Sequence, residues 1–239
     1  MRRLIDAGKF ISTAGYENPL AIDNLNYSIG LTYNLLDPNT LTGLRLHYTF
    51  TDRFDASLYA TNAWDAFSNR NLGFTYGLGL NYTFGEQWSA NFNTLIGPQQ
   101  VGNATNFRGM YDAVVTFKPN KEWLLVGEVN YGNEPNTTAG PGNAHWNGAS
   151  LWIKRQITDS LALTVRPELV NDITGALTGI PQALKAVTFT PEIKLPGGII
   201  LRPEIRRDWS NATTFDRNTR KGQTIVGIGV LYQHSFSLR

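Results

Sequence analysis

Several features that would define other protein classes are missing from this sequence of 239 residues. It contains no cysteine, which excludes a disulfide framework and thiolate chemistry. It has no run near the ~20 apolar residues that a membrane-spanning helix requires, which excludes helical spans. Charged residues make up only 17% of the chain, with a formal net charge of +2. This weak charge argues against a nucleic-acid partner, and so little charge is unusual for a soluble domain.

Residues 71–84 have the most regular pattern in the chain, because large apolar side chains alternate with Gly, Thr and Asn. Side chains of a β-strand alternate between its two faces, so this pattern predicts a strand with one apolar and one thin polar face. Strands of outer-membrane barrels have this character, with the apolar face toward lipid and aromatic residues at the membrane boundary. The residues predicted to face lipid are Leu72, Phe74, Tyr76, Leu78, Leu80, Tyr82 and Phe84.

The connections between the predicted strands alternate between two lengths. Tight turns are predicted near 51–52, 85–86, 119–121, 158–160 and 196–198, and long polar connections near 66–70, 97–106, 132–145, 172–183 and 210–221. Short periplasmic turns and longer extracellular loops alternate in this way in outer-membrane barrels. We therefore predict an all-β fold, a closed antiparallel transmembrane β-barrel of about twelve strands, which occupies residues 1–239 as a single domain.

The segment after the first predicted strand has two interpretations. Residues 25–36 alternate like a strand, but they can also belong to one long extracellular connection over residues 14–41. A thirteenth strand would break the parity of a closed antiparallel sheet. We therefore favour twelve strands, with both termini on the periplasmic side.

The predicted lumen face collects much of the charge of the chain. The residues assigned to it are Arg45, Asp55, Arg108, Asp112, Glu128, Arg166, Glu168, Glu192, Lys194, Arg202, Glu204, Arg206 and Asp208. One interpretation is a charged constriction that selects ions or solutes. The other is a set of salt bridges and hydrogen bonds that brace the wall.

A short motif with a central proline occurs three times, as Arg166-Pro167-Glu168, Thr190-Pro191-Glu192 and Arg202-Pro203-Glu204. Proline cannot donate to a β-ladder and is rare in central strands. The repetition suggests a local bend or bulge in the wall, with the three Glu side chains pointing inward. The alternative is that each proline occupies a tolerated irregular position.

Several motifs resemble those of a known family. They are Gly8-Lys9-Phe10-Ile11, Gly15-Tyr16-Glu17, Asn62-Ala63-Trp64-Asp65 and Leu201-Arg202-Pro203-Glu204-Ile205-Arg206-Arg207-Asp208-Trp209-Ser210. Over nearly its whole length, the chain resembles the OmpL-like β-barrel porins of the bacterial outer membrane. The resemblance implies a barrel that acts as a pore, with no catalytic residues to carry over.

The chain departs from the family pattern in three places. Family members usually have several strands before the segment at Gly8, and Arg207 stands where the family tends to have an aromatic residue. The family also tends to end on an aromatic residue close after the position of Tyr232, whereas this chain continues to Arg239. This last departure bears on recognition by the barrel-assembly machinery. Asp6 interrupts the apolar region that a signal peptide needs, so we interpret the sequence as a mature or engineered form, or as a chain whose upstream part is missing.

The predicted function is a passive porin-like channel in the outer membrane of a Gram-negative bacterium. Its expected partners are outer-membrane lipid, small solutes or ions, and the assembly machinery. We expect no enzyme activity, no cofactor and no metal site, because the three histidines are scattered and no Ser-His-Asp arrangement or metal-ligand spacing occurs. Two alternatives stay open: a structural or engineered barrel whose lumen is plugged by side chains, and a soluble all-β binding protein.

Overall fold

A computed structural model describes residues 3–68, 71–137 and 142–233 of the chain. The sequence interpretations of His234 and of residues 234–239 lie outside the described residues. Within them, β-strands form a 12-stranded sheet in which each strand pairs antiparallel with its neighbours in sequence. The strands are β1 (Arg3–Ile11), β2 (Thr40–Thr51), β3 (Phe54–Thr61), β4 (Thr75–Phe84), β5 (Trp88–Pro98), β6 (Phe107–Phe117), β7 (Trp123–Glu134), β8 (Ala144–Thr158), β9 (Leu161–Asp172), β10 (Gln182–Leu195), β11 (Ile199–Ser210) and β12 (Gly222–Tyr232).

The sheet begins at β1 and ends at β12, and in the described ranges no hydrogen-bonded pairing joins these two strands. The prediction of twelve antiparallel strands is therefore confirmed, while closure of the sheet into a barrel stays a prediction. The connections alternate in length as expected. Those at 52–53 and 159–160 are tight, whereas those at 62–74 and 99–106 are long.

The strand predicted over residues 71–84 starts later than expected, because β4 begins at Thr75. Leu72 has a φ of 60°, which lies in the left-handed region that β-strands do not use. The side-chain amide of Asn71 donates to the carbonyl of Pro98, which holds this turn against the end of β5. Leu72 and the following Phe74 therefore belong to the turn, although their side chains are exposed, like that of Tyr76 in the strand.

The three proline motifs lie on β9, β10 and β11, but they produce no bulge. Pro191 of β10 stands opposite Pro203 of β11, and pairing stops there and resumes in the same register on the other side. Because proline has no N–H group, the ladder is interrupted without a shift. The bulge is therefore contradicted, in favour of prolines at tolerated irregular positions, while a bend of the wall stays a prediction. The three glutamates, Glu168, Glu192 and Glu204, are all buried on one face of the sheet.

Residues 12–39, which connect β1 to β2, fold back over one face of the sheet. We call these residues the inserted segment, the face that they cover the inner face, and the opposite side the outer face. The backbone N–H of Ser12 donates to the carbonyl of Asn39 at 3.1 Å, so the segment leaves and rejoins the sheet at one point. It contains the short helix α1 (Leu31–Leu35) and no strand. The assignment of residues 25–36 to a connection is thus confirmed.

The hydrophobic core lies between the inserted segment and the inner face. Leu36, which follows α1, packs in one buried cluster with Trp146 of β8. Leu25 belongs to a second cluster with Trp152, also of β8, and Ala14 contributes to a third. Burial of these apolar side chains away from water favours the packed position of the segment. No helix in the described part of the chain has the length and apolarity needed to cross a membrane.

The outer face exposes many large apolar side chains. Ile5 of β1 is 70% exposed, and Val226 and Val230 of β12 are 76% and 67% exposed. Trp88 and Phe117 stack on one another at a centroid distance of 4.0 Å beside the tight connections that precede β5 and follow β6. Extensive apolar surface is rare on soluble monomers. An apolar band with aromatic residues at its boundary is the arrangement expected of a surface that contacts lipid.

We predict that Leu78→Arg will impair insertion into bilayers far more than Phe84→Arg. Leu78 lies inside β4, whereas Phe84 is its last residue, and Arg on the lipid face costs about 2–4 kcal/mol at the midplane but only about 0–1 near the interface. The measurement is the free energy of folding into lipid vesicles. Equal effects of the two substitutions would contradict a lipid-facing outer face.

Candidate functional site

The inner face brings together most of the charged residues that the sequence assigned to a lumen. On β9 and β11 they alternate with outward residues, so their side chains lie two positions apart, as strand geometry requires. The assigned residues that are buried are Asp112, Glu128, Arg166, Glu168, Glu192, Arg202, Glu204, Arg206 and Asp208. These residues form the candidate site together with the inserted segment.

Arg166 of β9 is the most enclosed charge of the site. Its guanidinium donates to Glu168 at 2.9 Å from Nε, and also to Glu17 of the inserted segment. The side chains of all three residues are 0% exposed. The guanidinium further donates to the carbonyl of Ser28 at 2.8 Å. One wall residue thus holds two separate parts of the inserted segment and neutralises two buried carboxylates.

Arg202 of β11 makes a second contact of the same kind. Its Nη2 lies 2.7 Å from Glu192 Oε2, and Lys154 Nζ lies 3.1 Å from the other oxygen of Glu192. Arg202 also donates to the carbonyl of Ala21 at 2.7 Å. The carboxylate of Glu192 is therefore shared between two cations of the wall, while Arg202 keeps a donor for the inserted segment.

Glu204 and Arg206, on the same strand, bind the backbone of the inserted segment with opposite polarity. Glu204 accepts hydrogen bonds from the backbone N–H groups of Tyr27 at 2.8 Å and Ser28 at 3.1 Å. Arg206 donates to the carbonyl of Ile29 at 2.7 Å. The part-buried backbone of the segment thereby gains partners for groups that lie in no strand or helix. The charged side chains of β11 thus supply hydrogen bonds that a neighbouring strand would otherwise give to this backbone.

Contact with the ring of Tyr27 explains why two positions of β12 are occupied by glycine. A Cβ atom at Gly229 would lie 2.7 Å from the Tyr27 ring, and one at Gly227 would lie 3.0 Å from it. Any larger residue would push the ring away. Their contact with Tyr27 therefore explains the small size of both residues.

The remaining assigned residues lie apart from this group. Arg45 pairs with Asp6 at 2.6 Å, and the carboxylate of Asp55 accepts from Asn81 at 2.7 Å. Arg108 pairs with Glu134 at 2.6 Å, and its guanidinium lies 5.0 Å and 5.5 Å from the ring centres of Trp64 and Trp146. Lys194 is exposed near the end of β10. The assigned residues therefore do not form one ring.

Three carboxylates meet where the two ends of the inserted segment cross β6 and β7. Asp37 comes from the segment, Asp112 from β6 and Glu128 from β7, and their nearest oxygens all lie within 4.8 Å of one another. The backbone N–H of Gly15 donates to Asp112 at 3.0 Å, and that of Tyr16 donates to Glu128 at 2.9 Å. Burial raises the pKa of Asp37 well above its usual range, and the neighbouring Glu128 and Asp112 charges add to the effect.

Sequence reasoning missed four residues that pair with the assigned ones or join them in the site. Glu17 and Asp37 were assigned to the connection over residues 14–41 and Glu134 to the one near 132–145, while Lys154 of β8 was not selected. Only Glu17 carried a signal, since it belongs to the Gly15-Tyr16-Glu17 motif of the family resemblance. Alternation of side chains cannot reveal which parts of an irregular connection fold inward.

An antiparallel sheet of consecutive strands, apolar on its outer face and polar or charged on its inner face, defines the class of porin-like outer-membrane proteins. The comparison with protein families agrees with this class. Residues 4–233 match the family described as "Putative beta-barrel porin-2, OmpL-like". The chain belongs to this family, and the resemblance inferred from its motifs is confirmed.

Solved porin structures share the fold at low sequence identity. The chain superposes on the anion-selective porin from Comamonas acidovorans with a TM-score of 0.57 and 14% identity, over 74% of this chain and 50% of that one. It superposes on OccAB1 of Acinetobacter baumannii with a TM-score of 0.62 and 11% identity, over 98% of this chain and 64% of that one. The chain thus spans between half and two-thirds of the length of these porins. No curated protein matches the sequence significantly.

We predict that Arg166→Ala will destabilise the protein by about 3–5 kcal/mol, because it leaves Glu17 and Glu168 buried without a counter-charge. The measurement is urea-induced unfolding in detergent or vesicles. The matched control is Arg220→Ala, because Arg220 pairs with Asp216 in an exposed (i,i+4) contact that contributes little. Equal destabilisation by both substitutions would show that the buried contact contributes no more to stability than the exposed one.

Proposed function

We propose that this protein is a porin-like channel of the outer membrane, through which ions and small solutes diffuse passively. The proposal is carried by the inner face, where charged side chains of β9–β11 hold the inserted segment. A segment folded inside a barrel narrows the passage and sets charged groups along it. Diffusion through such a passage requires no catalytic residue.

The proposal includes closure of the sheet into a barrel within the membrane. Unpaired N–H and C=O groups at a sheet edge cost several kcal/mol each in hydrocarbon, so membrane-spanning sheets close on themselves. The exposed apolar side chains of β1 and β12 continue the outer face up to both edges of the sheet. We therefore propose that lipid surrounds the outer face and that the barrel-assembly machinery inserts the protein.

A barrel with a plugged lumen is the second candidate function. It is favoured by the number of independent anchors on the inserted segment, which is held at Glu17, Ala21, Ser28 and Ile29 by arginines of the wall. A segment anchored in this way can block the lumen and serve a structural role. The two candidates differ in one measurable property, since only the channel conducts ions.

The charge balance of the inner face favours weak selectivity for cations. Among the residues assigned to the lumen, Asp55, Asp112, Glu128, Glu168, Glu192, Glu204 and Asp208 are acidic, while Arg45, Arg108, Arg166, Lys194, Arg202 and Arg206 are basic. Glu17 of the inserted segment adds a further carboxylate, which pairs with Arg166. Most of the charges are paired, so the net field that acts on a passing ion is small.

We predict that excision of the inserted segment will raise single-channel conductance severalfold. Residues 13–38 are replaced by a short Asn-Gly turn, which keeps Ser12 and Asn39 in contact and leaves the β1–β2 hairpin intact. The control shortens residues 101–105 of another long connection and should leave conductance unchanged. Similar conductance before and after excision would contradict narrowing by the segment. If neither form conducts, the channel proposal fails.

We predict that the double substitution Glu192→Gln with Glu204→Gln will move the reversal potential in a salt gradient toward anions. Removing two acids leaves Arg202 and neighbouring cations in excess, and the shift should be larger at low salt, where screening is weaker. Glu86→Gln, in the exposed turn before β5, is the matched control. An unchanged reversal potential in a conducting protein would mean that these carboxylates only brace the wall.

A further inference from the structure

The three carboxylates of Asp37, Asp112 and Glu128, here called the carboxylate cluster, bring oxygens within 4.8 Å of one another on the inner face. Each is at least nine-tenths buried, with exposures of 5%, 1% and 2%. None of them forms an ion pair with Lys or Arg in the described residues. Buried charges without partners are strongly unfavourable. Either a cation or shared protons must therefore neutralise the cluster.

Several oxygens at this place also lack hydrogen-bond donors in the described structure. They are both carboxylate oxygens of Asp37, Oδ2 of Asp112 and Oδ1 of Asn130. The oxygens of Glu128, in contrast, accept from the Tyr16 backbone and from Nδ2 of Asn130 at 2.8 Å. The three acids thus bring carboxylate oxygens to one place, and both oxygens of Asp37 have no donor there.

Asn130 provides a second observation, which does not depend on the charge of the acids. Its side chain is neutral and only 4% exposed, and its Nδ2 donates to Glu128 while its Oδ1 has no donor. A buried amide oxygen without a donor is costly. Cation coordination satisfies such an oxygen, whereas protonation of the neighbouring carboxylates supplies a donor only if the proton points toward it.

We infer that the carboxylate cluster and Asn130 form a binding site for a divalent cation, and that its chemistry selects Ca²⁺. All the candidate ligands are oxygens, which hard cations prefer, and no histidine or cysteine belongs to the group. Ca²⁺ accepts six to eight oxygen ligands in flexible geometry, including bidentate carboxylates and amide oxygens. Mg²⁺ usually keeps several waters, which a site this buried disfavours.

The position of the site gives the ion a structural consequence. Gly15 and Tyr16 near the start of the inserted segment donate to Asp112 and Glu128, while Asp37 near its end supplies free oxygens to the same cluster. A bound ion would therefore fix both ends of the segment to β6 and β7. This inference concerns ion binding and does not depend on whether the protein conducts.

Calcium binding is tested with the full chain folded in detergent free of lipopolysaccharide and dialysed against a chelator. Calorimetric titration with CaCl₂ should give one site per chain, and Ca²⁺ should raise the thermal midpoint of unfolding. Asp37→Asn should weaken binding about tenfold or more, since even outer-shell changes at metal sites cost 10–100-fold. Asp23→Asn, an exposed carboxylate on the same segment, is the matched control and should bind like the wild type.

Titration of the wild type keeps the test decisive even if Asp37→Asn fails to fold. Absence of binding, or of a thermal shift at neutral pH, would overturn the inference and leave shared protons as the explanation for the cluster. Equal binding by wild type and Asp37→Asn would place the ion elsewhere. Mg²⁺ binding as tight as that of Ca²⁺ would overturn the assignment of the ion.

Discussion

The need to neutralise buried charge organises this structure. Arg166, Arg202 and Arg206 point into the inner face, where water is largely excluded, and each must find acceptors. Arginine suits this role because its planar guanidinium offers several donors that can serve a carboxylate and a backbone carbonyl together. Each of the three arginines binds one acid of the wall and at least one carbonyl of the inserted segment. The wall and the segment are therefore stable as one unit.

This arrangement reconciles the two interpretations that the lumen charges allow. The ion pairs brace the wall, since most of the acids and bases are partners of one another. They also determine the shape and charge of the space beside the sheet, because they decide where the inserted segment lies. A channel built in this way would owe its selectivity to a small imbalance of charge, and its width to an irregular segment held by hydrogen bonds to arginine and glutamate.

The carboxylate cluster also requires neutralisation of its buried acids, but no basic side chain of the described residues provides it. For Glu192 the chain supplies cations of its own, Lys154 and Arg202, and for Glu204 it supplies backbone N–H donors. Beside Asp37 it supplies none in the described residues, while leaving the amide oxygen of Asn130 without a donor. A cation from solution would complete the pairing, and it would do so at the place where both ends of the inserted segment meet the sheet.

The sequence by itself determined the strands, their order and the faces of their side chains. Alternation along residues such as Arg202, Glu204 and Arg206 is a local property, because consecutive side chains of a strand must point in opposite directions. The lengths of the connections likewise indicated consecutive antiparallel hairpins, and the motifs identified the family. Two predictions failed where contacts with another strand decide the backbone. Leu72 lies in a turn held against β5 and not in a strand, and the opposed prolines of β10 and β11 interrupt the ladder without a bulge.

Only the tertiary structure decided where the inserted segment lies and which charges it meets. Glu17 and Asp37 belong to an irregular stretch whose sequence has no period that assigns a face, so their partners were not predictable from spacing. Arg166 contacts Glu17 across 149 positions of the chain, and Asp37 reaches Glu128 only because the segment folds back over the sheet. Such contacts depend on the shape of the whole inner face and on which buried charges still need a partner. Neither can be read from the local sequence, because both depend on residues far apart in the chain.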